Sequence, residues 1–143
     1  MTVARFSSPD GLPPTAGYSH VAAVPAGSRL VFVSGQIAAD ADGTIVAPAD
    51  WEAQTRQVFR NLERALAAED ATWSDVIKLT YFVTDTAEMA AIRSVRDEFV
   101  DTATPPASSL FRVAGLVHPD LLIEIEAVAA CGPVAGEQVS EPK

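Results

Sequence analysis

The chain has 143 residues, 48% of them hydrophobic, and a net charge of −9. That length suits one domain with a proper core, but not two. Its eight arginines and two lysines are scattered without a basic cluster. This disfavours nucleic-acid binding, a nuclease included, because phosphate neutralisation supplies most of such affinity. No apolar run approaches the roughly 18 residues of a membrane span, and no basic segment leads into an apolar one at the N-terminus. No membrane partner is expected, and the expected location is cytoplasmic.

The first segment, residues 1–16, is rich in Pro, Gly and Ser and reads as an irregular arm covering a sheet edge. Tyr18–Val24 and Arg29–Ala38 read as two strands joined through Pro25-Ala26-Gly27-Ser28, a hairpin signal. In the second, Val31, Val33 and Gly35 oppose Phe32, Ser34 and Gln36. A polar Ser-Gly-Gln ending a β-branched run is where a sheet bulges or lets a ligand approach the backbone. Asp42-Gly43 suits a tight turn, with a short strand after it at Ile45-Val46.

A helix is predicted from Asp50, as N-cap, to Ala68. Its stripe is Trp51, Thr55, Val58, Leu62 and Ala65/Leu66, with Gln54, Gln57, Arg60, Asn61 and Arg64 off it. Val76–Thr84 follows as a strand, with Ile77, Leu79, Tyr81 and Val83 on one face. A second helix starts near Asp85/Thr86 and buries Met89, Ile92, Val95 or the Arg96 stem, and Phe99. Thr104-Pro105-Pro106 ends it and returns the chain to the sheet. Trp51 and Trp73 fit packing positions, not a base-stacking platform.

Pro105–Ala130 reads as two strands around a loop at 115–120. Ser108, Leu110 and Arg112 share a face, and Ser109, Phe111 and Val113 the other. In the last strand Leu121, Ile123, Ile125 and Ala127 alternate with Leu122, Glu124, Glu126 and Val128. Aligning these patterns predicts one uniformly apolar face and one mixing Glu124, Glu126 and Arg112. The mixed face is too apolar for a solvated surface, so it is expected to meet another subunit around a polar pocket. Cys131, the single cysteine, has no CxxC partner and reads as a buried structural thiol. Residues 132–143 lack periodicity and read as a mobile tail. The expected architecture is an α+β two-layer domain over residues 17–131, a mixed sheet with two helices on one face. Its uncovered apolar face implies association.

The ending LIEIEAVAA, with Gly17-Tyr18-Ser19, Val33-Ser34-Gly35-Gln36, Gln54 through Asn61 and Pro106-Ala107-Ser108-Ser109, resembles the RidA/YjgF family of small trimeric proteins. That family includes deaminases that hydrolyse 2-aminoacrylate-type enamines and imines to 2-keto acids and ammonia. The resemblance implies a homotrimer with small-molecule clefts between subunits and no cofactor. It implies that Tyr18, Ser34, Gly35 and Glu124 line that cleft, Glu124 positioning the hydrolytic water. The family's substrate-holding arginine falls at Ser108, and a frequent asparagine falls at Ile92. Both are departures.

The candidate catalytic residues are therefore Glu124, Ser108 and Tyr18; the candidate substrate-binding residues are Ser34, Gly35, Gln36, His20 and Arg112. His20 follows Tyr18 by two residues on the same strand face and is a candidate acid or base. Arg112 could replace the missing arginine, though four residues of extended chain set it roughly 13 Å from Ser108; an inter-subunit pair with Glu124 or Glu126 is the alternative. His20, His118 and Glu124 have no metal-ligand spacing, so no metal is expected. Arginine pairs bidentately with a carboxylate and serine cannot. Losing one partner of a buried charge pair costs about 2–5 kcal/mol, so the 2-aminoacrylate reaction is expected to be weak or absent. A trimer that binds a metabolite or partner protein without chemistry is the other expectation.

Overall fold

The computed structural model describes residues 3–133. From residue 134 onward the expected tail lies outside the described residues. The elements are β1 (Arg5–Ser7), β2 (Val21–Ala23), β3 (Arg29–Ile37), α1 (Trp51–Ala68), β4 (Val76–Val83), α2 (Met89–Phe99), β5 (Ala107–Arg112) and β6 (Ile123–Cys131). The main sheet has the order β3-β6-β4-β5, with β4 and β5 parallel and the other pairs antiparallel. Both helices lie on one face, giving the expected α+β two-layer domain. No helix of the described residues is long and apolar enough to cross a membrane.

Asp50 caps α1 as expected, its carboxylate accepting from Ala53 N–H at 2.9 Å. The helix buries Val58, Leu62 and Leu66, together with Phe59 and Gln54. Phe59 anchors an aromatic cluster, stacked on Phe99 at 5.3 Å and tilted against Trp73 at 5.4 Å. α2 begins at Met89, later than predicted, because Asp85 first accepts from Ala87 N–H and closes a turn ahead of it. At Asp40–Thr44 the predicted turn forms: Asp40 N–H donates to Thr44 O, and Gly43 takes φ +80°, where glycine has no steric cost.

Two expectations about pairing are corrected. Pro25–Ser28 does turn, with Ser28 N–H bonded to Pro25 O, but β2 does not pair with β3. It pairs antiparallel with β1, so the arm contributes a strand to a separate two-stranded sheet. The second correction concerns faces. Ser108, Leu110 and Arg112 align with Leu79, Tyr81 and Val83 beneath the helices, while Phe111 aligns with Phe82 on the open face and stacks on it at 5.9 Å. Arg112 is thus on the face opposite Glu124 and Glu126, which align with Phe82 and Thr80.

Cys131 is buried and unpaired with another cysteine. Burial pushes its thiol up from the ordinary range and Asp75 adds to this, against a smaller opposing pull from Arg29. The thiolate is the reactive form. Labelling of the native protein by a disulfide reagent at pH 8 is therefore expected to run at least about tenfold slower than in denaturant. Equal rates would show the strand end to be open.

Candidate functional site

Ser19 assembles the first half of the site. It is buried, its N–H donates to Pro106 O at 3.0 Å and its hydroxyl to Pro105 O at 2.6 Å. Ser19 also bridges Ala107 in parallel fashion, laying the preceding residues along the outer edge of β5. Tyr18 is thereby brought to Ser108. Both line a cavity of about 220 Å³ bounded by α2, β4 and β5, whose wall includes Tyr81, Ile92, Arg93 and Arg96. Gly17 is required here. Its φ is +75°, and the Arg96 guanidinium occupies the space a Cβ would need, its Cζ 2.6 Å from that position.

The second half forms on the open face. Between Val33 and Gln36 the pairing of β3 with β6 slips by one residue, the bulge expected of Ser34-Gly35. Gly35 leaves a notch into which the Glu124 carboxylate packs: an added Cβ would stand 2.9 Å from Glu124 Cδ and closer still to Oε1. Around it the face is apolar, with Leu30 exposed and Phe32 74% exposed. The bulge also corrects the expected placement of Gln36. It now aligns with Ile125, away from Phe32 and Ser34, and its amide donates to Ser34 O at 3.1 Å.

Within one protomer these halves remain apart. Glu124 aligns with Phe82 and Ser108 with Leu79, which sets their Cα atoms roughly 14 Å apart on opposite faces. His20 meets the Tyr18 ring edge-on at 5.7 Å, but its Nε2 is bonded to Pro13 O at 2.7 Å, tying it to the arm. Arg112 is exposed and its Nε contacts Thr84 O at 3.5 Å. It reaches neither Ser108 nor, in this chain, Glu124. His118 is a surface loop residue accepting from Asp120 N–H at 3.1 Å.

Sequence reasoning missed three polar residues of the cavity. Tyr81 was hidden in an apolar alternation, Arg96 follows Ile92 by one turn on the buried stripe, and Arg93 had no pattern to mark it. The position of Ser108 beneath α2 is the signal that would have found them, and it depends on strand register.

The profile of the family described as Endoribonuclease L-PSP matches residues 9–131. The chain belongs to the RidA/YjgF family. It is 37% identical over 105 residues to a RutC family protein of Synechocystis, covering 73% of this chain and 80% of that one. A Rid family protein of unknown function, YyfB from Yersinia pestis, superposes with TM-score 0.82 at 36% identity, covering 90% of this chain and 98% of the other. Rv2704 from Mycobacterium tuberculosis, of the YjgF/YER057c/UK114 family, gives TM-score 0.59 at 30% identity, with 88% and 98% covered. Against this RidA/YjgF background the two departures acquire a location. Ser108 and Ile92 both line the 220 Å³ cavity, and Ile92 is fully packed in its wall.

Proposed function

We propose that this chain is a homotrimeric small-molecule cleft protein that hydrolyses a small imine, enamine or related carbonyl compound, with weak or no action on 2-aminoacrylate. The observation that carries the reading is the Glu124 carboxylate seated in the Gly35 notch on an uncovered, apolar sheet face. A charge in that setting is held in one place by the backbone bulge, ready for a second copy to close over it. Exposed Phe32, Leu30 and Phe111 supply the apolar contact such a copy would bury. Closure would set Glu124 of one protomer near the Tyr18–Ser108 cavity of its neighbour, uniting halves that one chain keeps roughly 14 Å apart.

In the reaction, water adds through oxygen to the imine carbon while its proton passes to Glu124. That proton then moves to nitrogen to give a carbinolamine, whose hydroxyl proton follows to nitrogen through Glu124 as the C–N bond breaks, so that ammonia leaves and the carbonyl forms. Tyr18 and Ser108 offer hydroxyls to the substrate from the opposite wall. The net charge of −9 and the scattered arginines oppose a nuclease.

Light scattering at micromolar concentration is expected to give three times the chain mass. Ammonia release from freshly generated small imines is expected with wild type and is reduced by at least about 100-fold in Glu124→Gln, within the range for a positioned acid–base group. A monomer removes the cleft. A trimer without turnover on any imine leaves the binding role in place of the enzyme.

A further inference from the structure

At the bulge, three steps along β3 cover only two along β6: Val33 opposes Ala127 and Gln36 opposes Ile125. The extra residue in such a ladder is unpaired and bends its strand, so β3 must be held in the longer path. Its first half is held by the sheet, with residues 29–33 paired to residues 127–131. Its other end is held from α1.

Asn61, half-buried on α1, donates through Nδ2 to Ile37 O at 3.0 Å and to Ala39 O at 2.9 Å. A side-chain amide nitrogen has two N–H groups, and both meet carbonyls where the chain leaves β3. The Asn61 Oδ1 accepts from Gln57 Nε2 at 2.9 Å. Between the two carbonyls Ala38 is fully buried, and its own carbonyl accepts from Val46 N–H at 2.9 Å. Removing the bulge would pass one residue out of the strand's end, putting Ile37 where Ala38 now lies. Asn61 would then face the carbonyls of Gln36 and Ala38, the second already engaged. Both ends are fixed, with one residue too many between them. The excess falls at Ser34-Gly35, where the missing Cβ leaves the room that the Glu124 carboxylate fills. The Gln36 amide closes the bulge by donating to Ser34 O at 3.1 Å.

We infer that Asn61 is a positioning residue for Glu124: its hold on Ile37 and Ala39 keeps the bulge in place, and the bulge keeps the notch that seats the carboxylate. This role rests on the reading above only for its effect on turnover. α1 then serves the notch from two sides. Gln54 fixes the start of β6 by accepting from Leu122 N–H at 2.9 Å, and Asn61 fixes the end of β3.

Nuclear Overhauser contacts from Gly35 Hα to the Glu124 side chain, measured on the full chain, report the seat directly. Asn61→Leu fills a similar volume and donates nothing; Asn61→Ser leaves room for water and is the second variant should leucine prevent folding. Either is expected to lose the Gly35–Glu124 contacts while keeping those between Val33 and Ala127. The kcat for imine hydrolysis is expected to fall at least about tenfold, with KM within about twofold, as for an interaction made only in the transition state. Val58→Ala, a cavity in the buried stripe of the same helix, is the control. It is expected to lower the urea midpoint by about 1 M and to move neither the contacts nor kcat. Asn61 variants that keep the contacts, whatever their urea midpoint, overturn the proposal, as do variants that lose them and turn over like wild type. The two readings fail separately. Lost contacts in a chain whose wild type hydrolyses no imine uphold the Asn61 hold on the notch and remove hydrolysis. A lower kcat with the contacts intact removes this role and leaves hydrolysis.

Discussion

Replacing Gln54 with leucine is expected to cost about 3 kcal/mol of stability, although leucine fits the space and is more apolar. Gln54 is fully buried in α1. Its Nε2 donates to Asp120 O at 2.8 Å and to Val46 O and Ala47 O at 3.2 and 3.3 Å, and its Oε1 accepts from Leu122 N–H at 2.9 Å. One side chain thus satisfies the loop entering α1 and the loop entering β6. Leucine would leave those backbone groups dry and unpaired, each costing about 1–3 kcal/mol. With a urea slope near 2 kcal/mol/M, the midpoint should fall by about 1.5 M at fixed protein concentration. Gln57→Leu is the control, because among the described residues the Gln57 side chain bonds only to Asn61, at 2.9 Å, in a half-buried setting; its midpoint should move by less than about 0.5 M. Equal shifts in the two variants would show that the Gln54 bonds contribute nothing particular. The consequence reaches the site, since Leu122 lies two residues from Glu124 and fixes where β6 begins.

Gln54 also marks a boundary of what periodicity can tell. Helical spacing identified the stripe of α1 from its apolar members, and glutamine fell outside it by residue type. Only the positions of two distant loops, brought over α1 by the sheet, make burial of an amide favourable. β4 and β6 were legible for a similar reason: each alternates strictly enough for its inward face to be read, and Leu79, Tyr81, Val83, Ile123 and Ile125 are buried as expected. β2 was not. The turn at Pro25–Ser28 is local chemistry and forms. The partner of the strand before it is a three-residue segment in a Ser/Pro-rich arm, too short to display any period.

The candidate site was legible in its members and illegible in its geometry. Ser34-Gly35 announced a bulge, and the bulge is there. Its effect on Gln36 follows from counting residues between two pairing points, which requires the partner strand. Alternation within β5 correctly grouped Ser108 with Leu110 and Arg112, yet could not say which group faces the helices. The parallel register with β4 decides that. It moves Ser108 beneath α2, into a cavity wall shared with Arg93 and Arg96, and separates it from Glu124.

Gly35→Ala is expected to lower imine hydrolysis nearly as far as Glu124→Gln does, by about 100-fold, while leaving stability within about 1 kcal/mol. The new methyl would overlap Glu124 Oε1 and stand 2.9 Å from Cδ. The obstructed atoms are the far end of a flexible side chain, so the carboxylate swings aside at little energetic cost and the fold persists. Function does not have the same freedom. A displacement of about 1 Å can cost two orders of magnitude when a group must hold a reacting water. Thermal melting and ammonia release measured on the same preparations separate the two effects. A variant that melts normally and turns over normally would show that the notch does not position the carboxylate. A variant that melts normally and is inactive, alone and when combined with Glu124→Gln, would place both residues in one functional unit, because removing a carboxylate already displaced adds no further loss.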